Sequence, residues 1–426
     1  MSSPGAFLGG ANERLLPASI PFRYFGAAAV FHVAVWLVLL LGGDDVVQSE
    51  GGFGLPLAAL HLLTLGVLAM TAIGAALQLL PVATRQPLRA VWPARLIFWL
   101  FVPGVVVLAL GMASGQELQL GLGAGLSIAG LLIAAALIAD NLLRAGEQAL
   151  VAAHAWGALA SLLALLAFGV LLIVDQWSGL LSDQRSVVIV HLGFAAYGFI
   201  GLLVLGFSQI LLPLFALTPA PSQRLGYGAL GLALAGLALL LASGLGQAWL
   251  LPPAIVLGLA ASASHLGAMV QVLRRRMRRR LGLSFKLIYL AWLALPLSLL
   301  LALALSLDLG PARGGPLFVA LLTLGWMLTF MLATLQRIVP FLASMNSVRP
   351  GQPPLLPSAL APEWPTRLSF WAHLAALALV GLGIIAGWGL LVRLGGAAGL
   401  VGALAFAWFF TTVVRRMTAK NQAGAG

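Results

Sequence analysis

Apolar stretches long enough to cross a bilayer follow one another along nearly the whole chain, separated by short polar breaks. Windows of about 20 residues predict twelve spans. They cover 22–43, 55–81, 92–113, 117–144, 149–174, 186–217, 224–244, 249–273, 285–307, 315–345, 367–392 and 396–414. Several exceed what stands upright in a hydrocarbon core about 30 Å thick, which predicts tilt or helical extension beyond it. The fold class is therefore all-α and integral to a membrane. The lipid bilayer is the first partner.

One pattern recurs within the spans. Residues 61–81 read HLLTLGVLAMTAIGAALQLLP, residues 191–213 read HLGFAAYGFIGLLVLGFSQILLP, and residues 321–340 read LLTLGWMLTFMLATLQRIVP. Superposing Pro81, Pro213 and Pro340, which lie 132 and 127 residues apart, also superposes Gly66, Gly198 and Gly325. Gly74 then falls on Gly206 and on Ala333, with Gln78, Gln209 and Gln336 close by. Small residues eight apart share one helical face and admit a neighbouring backbone. The motif occupies spans 2, 6 and 10, the second of each consecutive set of four. The chain thus divides into pseudo-repeats over about 22–144, 149–280 and 285–416, within a single membrane domain over 1–426. Spans 2, 6 and 10 are expected to line three equivalent pores or pockets around a pseudo-threefold axis, their glycines turned to protein rather than lipid.

Composition agrees with a membrane interior: 61% of residues are apolar and 8% charged. The fifty glycines suit close helix packing in lipid. With no cysteine, disulfides, iron–sulfur clusters, thiolate-ligated haem and covalent c-type haem are excluded.

The net charge of +12 reflects topology. Arg14, Arg23, Arg85, Arg89, Arg95, Arg144, Arg224, the run RRRMRRR over 274–280, Lys286, Arg337, Arg349, Arg367, Arg415, Arg416 and Lys420 fall on one side of the twelve spans. Arg185, Arg313 and Arg393 fall on the other, with Asp44, Asp45, Glu50, Glu117, Asp175, Asp183 and Asp308. By the positive-inside rule both termini are cytoplasmic, in a bacterial-type inner membrane. The arginine run reads as a topology anchor or a contact to anionic lipid. No folded module or interleaved aromatics accompany it, so no nucleic acid is expected as a partner. Residues 1–20 lack a signal-peptide core, and the first span is expected to stay as an anchor. The Pro-rich stretch 346–366 reads as an ordered connector on the cytoplasmic surface.

Candidate chemistry rests on six histidines. An ionisable residue within a span is costly and points to function, although a neutral imidazole also serves as an interhelical hydrogen-bonding group. His61 and His191 stand out because both precede the glycine motif at similar depth near the outer end of equivalent helices. They are two residues out of register, His191 falling on Ala59 and His61 on Gly193, so they are expected to point in different directions. Imidazole suits haem iron and copper. His32, His154, His265 and His373 have no internal counterpart. Met327 and Met331, four apart, form a thioether pair able to serve soft copper or haem, or to fill space in the core. Gln78, Gln209 and Gln336 read as interhelical or headgroup-bonded, and Asp140 and Asn141 as interfacial.

Twelve helices in three sets of four, with histidine on helices 2 and 6, resemble subunit I of the haem–copper oxidase superfamily. The sequence HLLTLGVLAMTAIGAALQLLPV looks like the second helix of the cytochrome c oxidase and nitric oxide reductase branch. It looks closer still to shortened relatives such as the NnrS-type haem and copper membrane proteins. The resemblance implies that His61 matches the low-spin haem ligand, and His191, approximately, a copper ligand. Departures accompany it. The family's paired histidines on helix 7 are missing from 224–244, and its two haem-ligating histidines on helix 10 are missing from 315–345. There Ala320 stands where His61 superposes, and Met327 is the nearest alternative axial ligand to haem. The implied protein binds one b-type haem or copper, or none, for electron transfer, gas binding or metal handling. It lacks a complete binuclear centre, and its expected partners are respiratory or cytochrome subunits. Two other classes stand beside it: a cofactor-free structural or accessory subunit of a respiratory complex, and a membrane transporter, which a threefold repeat disfavours.

Overall fold

The structure, a computed structural model, describes residues 16–278, 280–347 and 355–422, the side chains of 420–422 excepted. Arg14, Arg279, Arg349, the side chain of Lys420, the first fifteen residues and the 348–354 part of the Pro-rich stretch lie outside the described residues. Twelve helices are long and apolar enough to cross a bilayer. They are α1 (Ser19–Leu41), α2 (Leu55–Thr84), α3 (Trp92–Ser114), α4 (Glu117–Leu143), α5 (Ala149–Ser178) and α6 (Gln184–Ala216). The second half comprises α7 (Gln223–Gly244), α8 (Ala248–Arg274), α9 (Leu283–Ser306), α10 (Gly314–Met345), α11 (Glu363–Ala386) and α12 (Gly389–Ala419). No strand occurs among the described residues.

Ten of the predicted spans agree with these helices to within four residues at each end. The last pair does not. Hydropathy placed their break after residue 392, whereas α11 ends at Ala386, with Gly387 left-handed at φ 73° and Trp388 N–H bonded to the Gly383 carbonyl at 2.8 Å. Apolar residues run straight through this turn, so hydropathy passes over a break made by backbone conformation. Arg393 is consequently helical, and it pairs with Asp44 from the short helix Gly43–Gln48 that follows α1.

Burial shows which helices are central. In α2, α6 and α10, 67%, 61% and 72% of the most apolar window is buried, against at most 50% in any other span. The hairpins α3/α4, α7/α8 and α11/α12 pack tightly within themselves, and α12 packs on α1 to close the ring. Asp140 at the end of α4 bridges Arg89 and Arg144, and Arg85 pairs with Glu147. The pairs to Arg85 and Arg89 are exposed on the arginine side and of small energetic weight, while Asp140 and Arg144 are half-buried. Trp92, Trp249, Trp364 and Trp388 are exposed near helix ends, as an interfacial belt requires.

Each central helix contains a π-helical segment: Leu62–Ala69 in α2, Phe194–Ile200 in α6 and Leu321–Leu328 in α10. Their first residues coincide when the three prolines are superposed. In α2 and α10 the segment opens on the same five residues, LLTLG, whose Thr64 and Thr323 hydroxyls donate back to the carbonyls of Leu60 and Val319 at 2.8 and 2.7 Å. Such back-bonding bends a helix and loosens its regular ladder. Past the prolines, Arg85 and Leu217 are left-handed at φ 56° and 55°, again 132 residues apart.

The motif glycines meet neighbouring helices rather than lipid. A Cβ on Gly66 would stand 2.5 Å from Phe31 of α1, one on Gly198 2.7 Å from Ser161 of α5, and one on Gly325 3.5 Å from Ala294 of α9. Gly74 and Gly206 repeat the contact lower down, against Tyr24 and His154. Each central helix thus uses its small residues to seat the first helix of its own set. Of the expected pockets beside the central helices, the gap at His154, lined by Val151, Leu202, Gly206 and Phe207, has no room for a water molecule.

Candidate metal centre

The six histidines, scattered in sequence, come together as three pairs close enough for their charges to interact: His61 with His191, His154 with His265, and His32 with His373. The pairs differ in which ring nitrogens remain free, and that difference decides what each can bind.

His61 ends the first α-helical turns of α2, one residue before the π segment, and its Nδ1 lies 3.1 Å from the Leu57 carbonyl of its own helix. The carbonyl one turn back in its own helix is within reach of the ring. His191 occupies the corresponding part of α6. Its Nδ1 lies 3.0 Å from the Leu165 carbonyl of α5, and Gly169 leaves room for the ring, 3.1 Å from His191 Cε1 to a Cβ built there. A carbonyl only accepts, so in both rings Nδ1 carries the proton and Nε2 keeps its lone pair. Both side chains are half-buried.

The second pair is sealed. His154, fully buried, bonds the Leu150 carbonyl through Nδ1 at 2.9 Å, leaving Nε2 without a partner, and Nδ1 of His265 is likewise buried and unpartnered. In the third pair, Nε2 of His32 accepts from the Trp36 indole at 2.9 Å and Nε2 of His373 meets the Thr329 hydroxyl at 2.8 Å.

Of the other candidates, Met327 and Met331 are both buried in or beside the α10 π segment. Trp326 stacks on Tyr197 of α6, whose hydroxyl reaches Ser298 of α9 at 3.1 Å. Asn141, near the end of α4, is buried: its Nδ2 donates to the Gln86 carbonyl at 2.6 Å and its Oδ1 lies 2.9 Å from the Thr84 hydroxyl. Gln78, Gln209 and Gln336 are also corrected, since all six of their side-chain amide atoms are buried with no protein partner among the described residues.

Haem and copper can be tested against this donor set. Imidazoles held at Nδ1 by carbonyls, with Nε2 free, have the arrangement that metal-ligating histidines adopt. Among the described residues no three His, Asp or Glu side chains converge. The π segments of α2 and α10 approach each other directly, and α10 brings no histidine to the His61 level. The residues therefore fit a group that takes one or two imidazole nitrogens, and bis-histidine haem between α2 and α10 does not fit.

A chain of a haem–copper terminal oxidase dimer, solved by cryo-electron microscopy, superposes with a TM-score of 0.63 over 94% of this chain and 84% of that one, at 12% identity. The fold is the subunit I fold of the haem–copper oxidases. No protein-family profile and no curated protein matches the sequence. The present chain shares the twelve-helix frame of that fold and has His61 on α2 and His191 on α6. The segments 224–244 and 315–345 contain no histidine. The pairing of the histidines had no signature in spacing. Trp36, four residues after His32 and so on the same helical face, was the one local signal of a histidine partner.

Proposed function

We propose that this oxidase-subunit-I-like membrane protein holds a single transition-metal centre, a copper ion or the iron of one b-type haem, at His61 and His191. The carrying observation is the matched protonation of the two rings. Nδ1 of each faces a backbone carbonyl, and Nε2 of each is left as a ligand. A copper ion taking both nitrogens suits a centre of two neutral donors. Haem would take His61 as its axial ligand, with Met327 the one thioether proposed for a sixth position. When bound, the group supplies one-electron chemistry or a gas-binding site. The missing histidines of 224–244 and 315–345 argue against reduction of oxygen at a binuclear centre. Cytochrome or other respiratory subunits are the fitting partners for electron exchange.

A cofactor-free structural subunit is the second reading, favoured by the close packing beside the central helices. Metal analysis and an optical spectrum separate the two, on protein purified from cells supplied with haem and copper. Near-stoichiometric copper lost in both His61→Ala and His191→Ala, or a Soret band lost in His61→Ala, supports the metal centre. Wild-type protein free of metal and haem would leave only the structural reading.

A further inference from the structure

Arg337 lies about two turns inside the end of α10, and its half-buried side chain reaches over the start of α9. Its Nε donates to the Ser284 hydroxyl oxygen at 2.7 Å, and Nη2 donates to the Leu281 carbonyl. The central carbon of the guanidinium stands 5.6 Å from the centre of the Phe285 ring. Gly282, left-handed at φ 76°, brings the backbone close, 3.5 Å from Nη2 to a built Cβ. The group is thus clamped along one edge and one face. A guanidinium has five N–H donors, and three of those on Arg337 have no acceptor among the described residues.

The surroundings supply charge of one sign. The arginine run leads directly into Leu281, and the Arg278 backbone N–H, 3.4 Å from the Ala216 carbonyl, ties it to the end of α6. Lys286 stands exposed one turn along α9 from Gly282. On this side of the bundle the described carboxylates are Asp140, Glu147 and Glu363, each already paired with an arginine of another segment. Among the described residues neither Arg337 nor any cation from Arg274 to Lys286 has a carboxylate partner. Topology anchoring needs only charges in the flanking loops. It does not call for a guanidinium within a span, where charge is costly, held still and left with open donors.

The exposed face of α9 decides the kind of anion. Beyond Lys286, the exposed side chains Tyr289, Leu293, Leu297 and Leu300 recur three or four residues apart. They form one apolar stripe that starts at the cationic end. Met277, inside the arginine run, is exposed as well. A free phosphate ion would use the cations and leave the stripe idle.

We propose that Arg337 binds the phosphate of an anionic phospholipid, with Arg280 and Lys286 at the rim and an acyl chain along the α9 stripe. The planar fork of open N–H donors matches two phosphate oxygens. Held in advance by Ser284, Leu281 and Phe285, it loses little freedom on binding. The headgroup carries net negative charge, because no protein carboxylate balances these cations.

Native mass spectrometry of the full-length protein tests this, with phosphatidylglycerol, phosphatidylcholine and inorganic phosphate as probes. Wild type should retain one phosphatidylglycerol under conditions that strip phosphatidylcholine, and inorganic phosphate at equal concentration should not displace it. Arg337→Gln should weaken retention about fivefold or more, the weight of one cation at an anionic surface. Arg415→Gln, an exposed cation on the same side at the end of α12, should leave retention near wild type. Equal retention of both lipids, wild-type retention in Arg337→Gln, an equal loss in Arg415→Gln, or displacement by inorganic phosphate would overturn the proposal. Because Arg337 also braces α9 against α10, the double variant Arg280→Gln/Lys286→Gln repeats the test with that brace intact. It should likewise lose the lipid, and wild-type retention there would overturn the proposal even if Arg337→Gln fails to fold.

Discussion

Gly66 of α2 sits directly on Phe31 of α1, a Cβ on it falling 2.5 Å from the Phe31 Cγ. Phe31 is itself buried, so the ring has nowhere to retreat. The matching contact at Gly325 is looser: a Cβ there meets the flexible Leu321 Cδ1 at 3.2 Å and Ala294 at 3.5 Å. Gly66→Ala is therefore expected to cost about 1–3 kcal/mol by overpacking, visible as a lower melting temperature in detergent. Gly325→Ala should melt near wild type. Equal losses from both would mean that the α1–α2 seam is no tighter than the α9–α10 seam.

Asn141 joins the ends of α2 and α4 through Gln86 and Thr84. Asn141→Leu leaves the half-buried Gln86 carbonyl without its 2.6 Å donor, and a cost of about 1 kcal/mol is expected for the lost bond. Thr84→Val should cost less, because it removes a hydroxyl that also has the Leu80 carbonyl as a partner. Thermal unfolding of the two variants in the same detergent ranks them; the reverse order would remove Asn141 as the organising residue.

Asp183 caps α6 at the face opposite the arginine run. The Ser186 hydroxyl, and then the Ser186 backbone N–H, donate to its carboxylate and hold its pKa below the ordinary Asp range. A depressed carboxyl pKa stabilises the folded cap fully above the unfolded value of about 3.9, and the contribution fades as pH falls through the folded value. Hydrogen-exchange protection at 184–187 should hold steady from neutrality down to about pH 4 and drop below that. In Asp183→Ala it should be low throughout, and a wild-type profile in that variant would rule out capping by this side chain.

The charge asymmetry predicts sidedness. Reporters fused after Arg280 and after Ser182 should lie on opposite sides of the membrane, the first in the cytoplasm. Both reporters on one side would break the twelve-span topology.

The sequence by itself determined the twelve helices, the likeness to the oxidase fold and the special standing of spans 2, 6 and 10. Those signals are local: an apolar run long enough to cross lipid, and a glycine–proline motif that returns at nearly constant spacing. Conformation that hydropathy cannot register was left to the structure, as at Gly387, where a left-handed residue ends α11 among apolar neighbours. Tertiary structure also decided the chemistry of the histidines. His61 and His191 are 130 residues apart and out of register in the repeat, and only helix packing brings them within electrostatic range. The carbonyls of Leu57 and Leu165 then set their protons, just as the Trp36 indole sets that of His32. A histidine's identity is written in the chain, but which nitrogen is free depends on the donor or acceptor that folding brings against the other.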